Sequence, residues 1–275
     1  MLLAETWPHI VGYDISGVVV ACGDGVEKFA VGDEVFGMLP HDNNGALAEY
    51  VAVREDYISK KPANLTHVEA AALPLVSQTA LQSFRLGQLA ENKKVLITGG
   101  YEHRLNKKAC SWLRVMGCGD VDSLVLLFCA SRAGGAGSVA IQIAKGVFKA
   151  KQCFECITRG GAVVSISETP TWKSFSSGGE SQGLSVSYFL GAILDCLSSP
   201  VTRRARQAQI SYDFLFMVAD GAIMDEVRQL AEQRVLTPVV DKVFPFEKAD
   251  TALEYLEAGH AMGKVVVQLD ETSTA

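Results

Sequence analysis

Residues 93–146 read "KKVLITGGYEHRLNKKACSWLRVMGCGDVDSLVLLFCASRAGGAGSVAIQIAKG", and the fold turns on how the two ends of this stretch relate. Lys94–Thr98 has the continuous apolar character of a buried parallel strand and runs into Gly99-Gly100. Ala133-Gly134-Gly135-Ala136-Gly137-Ser138 has the small-residue character of a phosphate loop opening a helix. In that helix Val139, Ile141, Ile143, Ala144 and Val147 put apolar side chains on much of the circumference. A glycine-rich turn between strand and helix lets backbone amides approach a pyrophosphate, and the helix N-terminus adds a favourable dipole and unpaired N–H donors. With residues 101–132 set aside the text becomes "VLITGG-AGGAGSVAIQIAK", with Gly100 at the strand end and Gly135 and Gly137 at the tight turn and the close helix approach.

Residues 101–132 match neither end. They join a charged head, "YEHRLNKKA", to an apolar tail, "SLVLLFCA", with no steady period. An insertion there separates Gly100 from Gly134. A longer loop costs little entropy, but a phosphate cradle needs its backbone continuous and close, so the expectation is a cradle split open. The stretch reads as an in-frame insertion of the kind a retained intron leaves. Downstream, "AKGVFKA" meets "KQCFECITRGGAVVSIS" directly, and a strand–helix–strand section is expected to be missing near Ala150. With it goes the residue that reads the ribose about 20 positions beyond the motif.

Outward from this centre, residues 15–58 read as β-rich, with short strands in "ISGVVVACGDGV", "VGDEVFG" and "ALAEYVAV". "THVEAAALPLVSQTALQSFRL" reads as two helical turns or a kinked helix broken at Pro74. Gln152–Thr158 is expected to be a short helix, "AVVSIS" a strand, Tyr188–Gln209 a long amphipathic helix and "ISYDFLFMVA" a strand. Asp220-Gly221 opens a helix ending near Arg234, "TPVVDKVFPF" is extended, "EKADTALEYLEAG" is a helix stopped at Gly259, and "GKVVVQL" is a last strand. An antiparallel β front, an alternating βα middle and an αβ return point to two domains, the first built from both ends of the chain.

Bulk properties narrow the function. A charge of −6 offers no basic face for nucleic acid. The apolar runs, such as Leu124–Ala130, fall well short of the roughly 20 residues of a membrane span. Residues 1–17 carry no basic segment of a secretory signal. Seven irregularly spaced cysteines fit free thiols in a reducing compartment, and cytoplasmic placement is expected.

"GYDISGVVVACGDGVEKFAVGDEVFG", "LAEYVAV", "AAALPLVSQTAL", "VLITGG…AGGAGSVAIQIAK", "RGGAVVSI" and "GKVVV" together resemble the medium-chain dehydrogenase/reductase superfamily, most of all its zinc-independent branch of quinone oxidoreductases and enone and enoyl reductases. The resemblance implies an α/β chain: a GroES-like β domain from residues 1–75 and 241–275, lacking N-terminal β structure, and a Rossmann domain over 76–240, incomplete and interrupted by 101–132. It implies hydride transfer from NADPH, with NADH as the alternative, to a quinone, an enone or a related activated alkene, and it admits a homodimer. The cofactor would meet Gly100, Gly134, Gly135, Ala136 and Gly137 at its phosphates. Thr79 would lie beside the nicotinamide, Ile166 would line the ring's pocket, and Phe214–Phe216 with Gly263-Lys264 would close over it. No catalytic acid or base stands out. Asp14 and Asp33 have the character of turn and hydrogen-bonding residues, and Arg203, Arg204 and Arg206 fit a solvated helix face.

No metal is expected. Zinc-dependent relatives carry Gly-His-Glu where this chain has Gly12-Tyr13-Asp14, and Cys153 and Cys156 lack a second pair at zinc-ribbon spacing. The splits also leave room for a different reading: a catalytically impaired relative, or a defective splice isoform retaining part of the fold.

Overall fold

The computed structural model describes residues 9–41, 45–90, 94–98, 124–128, 139, 142–143, 147, 151–152, 161–166, 172, 188–259 and 261–269. Among them lie three sheets. The first is antiparallel: β1 (Asp14–Val18), β2 (Glu34–Met38) and β3 (Ile58–Lys60), in that spatial order. Its connections carry the glycines expected of tight turns, Gly25 and Gly32 standing at φ of +84° and +93°. "ALAEYVAV" departs from expectation and forms no strand. Ala46 N–H donates to Gly12 O and Leu47 N–H to Val11 O, so its backbone is spent on the chain entering β1.

Two helices follow, α1 (His67–Ala71) and α2 (Pro74–Leu86). Pro74 does not kink one long helix. It starts the second, at a first-turn position where the missing N–H costs no intrahelical bond. Helix α2 is the pin of the molecule. One core joins its Leu73, Val76, Ala80, Leu81 and Phe84 to Phe36 and Met38 of β2, to Val139 and Ile143, and to Val164, Leu215 and Met217 beyond. Burying each of the larger side chains contributes about 1.5–3 kcal/mol.

The second sheet has five strands, all parallel, in the order β6-β4-β5-β7-β8: β4 (Lys94–Thr98), β5 (Leu124–Phe128), β6 (Lys151–Gln152), β7 (Ala162–Ser165) and β8 (Ser211–Phe214). Two expectations are corrected here. Gln152, expected in a helix, belongs to β6. Residues 124–128, part of the 101–132 stretch read as an insertion without steady period, form the sheet's middle strand. The physical reason is the apolar run "LVLLF", which is as suited to a parallel sheet as "KVLIT". Strand β5 pairs with β4 on one side and β7 on the other, so both of its edges are satisfied within the sheet.

Helix α3 (Tyr188–Ala208) connects β7 to β8. After β8 comes α4 (Gly221–Glu232), capped by Asp220, whose Oδ1 accepts from Ala222 N at 2.8 Å and Ile223 N at 3.3 Å. A Cβ on Gly221 would stand 2.8 Å from the carbonyls of Asp56 and Ile58, and this close approach seats α4 on β3. The third sheet pairs β9 (Val240–Pro245) in parallel with β10 (Lys264–Gln268), joined through α5 (Ala249–Glu257) and a turn at Gly259 with φ +73°. No helix among the described residues is long and apolar enough to cross a membrane.

Candidate functional site

Helix α2 carries the polar residues of the site on a largely buried element. Leu73, its N-cap, offers no capping side chain, so the first N–H groups need an outside acceptor. Asp14 provides it: Oδ1 accepts from Leu75 N at 2.8 Å. The second oxygen, Oδ2, accepts from Lys264 Nζ at 2.6 Å, and the side chains of this ion pair are only 12% and 21% exposed. One carboxylate thus ties the start of β1, the start of α2 and the start of β10. Beside it, a Cβ on Gly263 would lie 2.6 Å from Val239 O, and Lys264 N donates to that carbonyl at 2.8 Å.

Thr79 is buried, and its hydroxyl donates to Leu75 O at 2.7 Å. Its proton is therefore spent on its own helix, and Oγ1 meets any ligand as an acceptor. Gln78 and Gln82 bind the segment after β8. Gln82 accepts from Val218 N at 3.1 Å and donates to Val218 O at 2.7 Å. Gln78 Oε1 accepts from Asp220 N at 2.8 Å, while its Nε2 and the Ser77 hydroxyl are buried without a partner among the described residues. A nicotinamide carboxamide presents both a carbonyl and N–H donors. The acceptor on Thr79 fits those N–H donors.

Ile166 follows β7 directly and packs half-buried against the α2 core, while Leu215 N–H donates to Ser165 O at 2.8 Å. The carboxyl ends of β7 and β8 therefore face α2. Nearby, Tyr13 packs edge-on against His41 at 5.2 Å between ring centroids, and His41 packs edge-on against Phe216 at 5.7 Å. The structure so brings Thr79 and Lys264 together through Asp14 and Leu75, and sets Ile166 in the same core. Gly100, Gly134, Gly135, Ala136 and Gly137, with Cys153 and Cys156, lie outside the described residues. Arg203 and Arg206 are exposed on α3. Among the described residues no three His, Cys, Asp or Glu side chains are grouped to hold a metal.

Sequence reasoning missed Gln78, Gln82 and His41. Each glutamine meets its partner across 136 or 142 positions, and no local pattern announces such a contact. Asp33 behaves as its turn position suggests: the Ala30 N–H, then Lys60, hold its carboxyl below the ordinary carboxylate value.

Residues 2–63 match the family described as "Alcohol dehydrogenase GroES-like domain", and residues 123–267, more than half the chain, match that described as "Zinc-binding dehydrogenase". A human protein named "NAD(P)H oxidoreductase RTN4IP1, mitochondrial" is 30% identical over 312 residues, covering 96% of this chain and 72% of the relative. The tomato (Solanum lycopersicum) "2-methylene-furan-3-one reductase" is 30% identical over 287 residues, covering 94% of this chain and 63% of the relative. Among solved structures, a quinone oxidoreductase from Coxiella burnetii shares the fold with a TM-score of 0.59 at 23% identity, over 94% of this chain and 79% of that one. The GroES-like and Rossmann-like parts agree with these matches. The chain belongs to the medium-chain dehydrogenase/reductase superfamily, a family of oxidoreductases, in its quinone oxidoreductase-like branch.

Proposed function

We propose that this chain transfers hydride from NADPH to a quinone, an enone or a related activated alkene without zinc, with NADH as the alternative donor. The observation that carries the reading is the α2 junction. Thr79 Oγ1 is fixed as an acceptor and Ile166 offers an apolar wall, both at the carboxyl side of a parallel sheet. NADPH supplies the hydride. The chain's own residues hold and orient: Thr79 receives an N–H of the carboxamide, and Asp14 keeps the first turn of α2 in place through Leu75. The edge-packed rings of Tyr13, His41 and Phe216 form an aromatic wall suited to a flat conjugated acceptor. The tomato relative's name, that of an enone reductase, supports the substrate class.

Zinc independence rests on position 13, where a phenol engaged with His41 stands in place of an imidazole ligand. Saturable quenching of protein fluorescence by NADPH, together with quinone- or enone-dependent NADPH oxidation, is the expected result. A folded protein that neither binds nor oxidises NADPH would overturn the reading. A chelator is expected to leave both melting temperature and turnover unchanged, and stoichiometric zinc in purified protein would refute that part.

A further inference from the structure

We infer that Gln82 and Gln78 of α2 set the register of the segment after β8, and so decide that Phe216 joins the aromatic wall offered to the hydride acceptor. The inference rests on the hydride-transfer reading above and names positioning residues for its acceptor side. It begins with parity. Leu215, Met217 and Ala219 are buried, the first two in the core around α2, while Phe216, Val218 and Asp220 between them are half-buried. Such alternation marks extended backbone, where neighbouring side chains point to opposite faces. Phe216 thereby packs edge-on against His41, 5.7 Å away between centroids, and His41 in turn meets Tyr13. A slip of one residue exchanges the two faces. Leu215 or Met217 would then stand toward His41, and the Phe216 ring would be forced into the core.

What holds the register lies on α2. Strand β8 ends at Phe214, and the Leu215 N–H still donates to Ser165 O at 2.8 Å. Further on, side-chain amides take the part of a neighbouring strand. Gln82 accepts from Val218 N at 3.1 Å and donates to Val218 O at 2.7 Å, the same two bonds that a paired strand residue makes. One turn earlier on α2, Gln78 accepts from Asp220 N at 2.8 Å. The spacings agree: four residues rise about 6 Å along a helix, and two residues span about 6.6 Å of extended chain. A slip by one residue would offer Gln82 an amide and a carbonyl that point the other way.

These bonds reach the backbone of Val218 and Asp220, so the glutamines act on the acceptor through Phe216. Thr79, which receives the carboxamide in the reading above, lies between them on the same helix. Cofactor side and acceptor side are therefore referred to one rigid element, as a transfer that depends on the orientation of two reactants requires.

Two measurements on the full chain test this with Gln82→Met, which keeps the side chain's length and removes both bonds. In the first, the ring protons of His41 are followed by NMR, assigned by their loss in His41→Gln. The Phe216 ring current displaces them, and Phe216→Leu shows the change when that ring is lost. Gln82→Met is expected to move them in the same direction, and unmoved His41 signals in the folded variant overturn the inference. In the second, KM for a quinone is expected to rise about tenfold with NADPH affinity unchanged within about twofold, since acceptor contacts alone are disturbed. A lower melting temperature with KM unchanged gives the glutamines a structural role only, and a parallel loss of NADPH affinity gives them the whole junction; either result overturns the inference. If Gln82→Met does not fold, Gln82→Glu, which keeps the acceptor for Val218 N and loses the donor to Val218 O, is read by the same two measurements. A parent chain that neither binds nor oxidises NADPH would sink the proposed function, while the His41 signals still decide the register.

Discussion

Asp14 shows what one residue can and cannot disclose. Its turn-like setting in "GYDISG" marks it as a hydrogen-bonding carboxylate, and that is how it acts. Its partners, Leu75 and Lys264, stand 61 and 250 positions away, beyond any pattern a local reading can use. The pair is mostly shielded from solvent, so removing one partner leaves the other charge poorly solvated. Asp14→Asn and Lys264→Met should each cost about 2 kcal/mol in urea unfolding, the range of hydrogen bonds to charged groups. The double variant should cost clearly less than the sum. Strict additivity would mean that the two side chains do not communicate. Lys264→Met should also weaken NADPH no more than Asp14→Asn does, since the lysine is engaged by Asp14. A much larger loss of affinity for Lys264→Met alone would show that the ammonium binds a cofactor phosphate.

Elements were legible wherever local chemistry sets them. The capping box at "THVE", not singled out from the sequence, forms in the structure: Thr66 Oγ1 accepts from Glu69 N at 3.3 Å, and Glu69 Oε2 accepts from Thr66 N at 2.9 Å and from its hydroxyl at 2.8 Å. Pro74, Asp220 and Gly259 likewise act at the helix ends they mark. "ALAEYVAV" was misread because strand-like composition does not supply a neighbouring strand, and Gln152 because a short apolar run fits either period. The capping box also gives a pH test. Bonds from the Thr66 N–H, then its hydroxyl, hold the Glu69 carboxyl below its ordinary 4.5. A carboxylate with a depressed folded pKa stabilises fully above its unfolded value, and that contribution disappears as pH falls through the folded one. Between about pH 5 and about pH 3, the parent should therefore lose more stability than Glu69→Gln. Parallel loss in thermal melts would rule the contribution out. At neutral pH Thr66→Ala should cost about 1 kcal/mol.

The whole molecule was legible as a class and only partly as an arrangement. Several of the ordered motifs that identify the superfamily form strands, "GYDISG" running into β1, "VGDEVFG" into β2 and "GKVVV" into β10. The place of β5 was not legible, because an apolar run does not reveal which two edges it will join. That placement leads to a prediction about cofactor choice. In a dinucleotide unit the residue that reads the ribose sits at the carboxyl end of the strand next to the entering one, an acid for NAD or an arginine for the NADP phosphate. If β5 is the strand that enters the glycine run, that neighbour is β4, whose described residues end at Thr98. Threonine can donate to a ribose hydroxyl or to a phosphate oxygen but carries no charge to favour either. NADPH and NADH should therefore bind within about tenfold of each other, or about 1.4 kcal/mol. Thr98→Arg should shift the ratio toward NADPH and Thr98→Asp toward NADH, in fluorescence titrations at one salt concentration. A hundredfold preference in the parent, unmoved by either substitution, would mean that the ribose is read elsewhere and that β4 does not hold the second place.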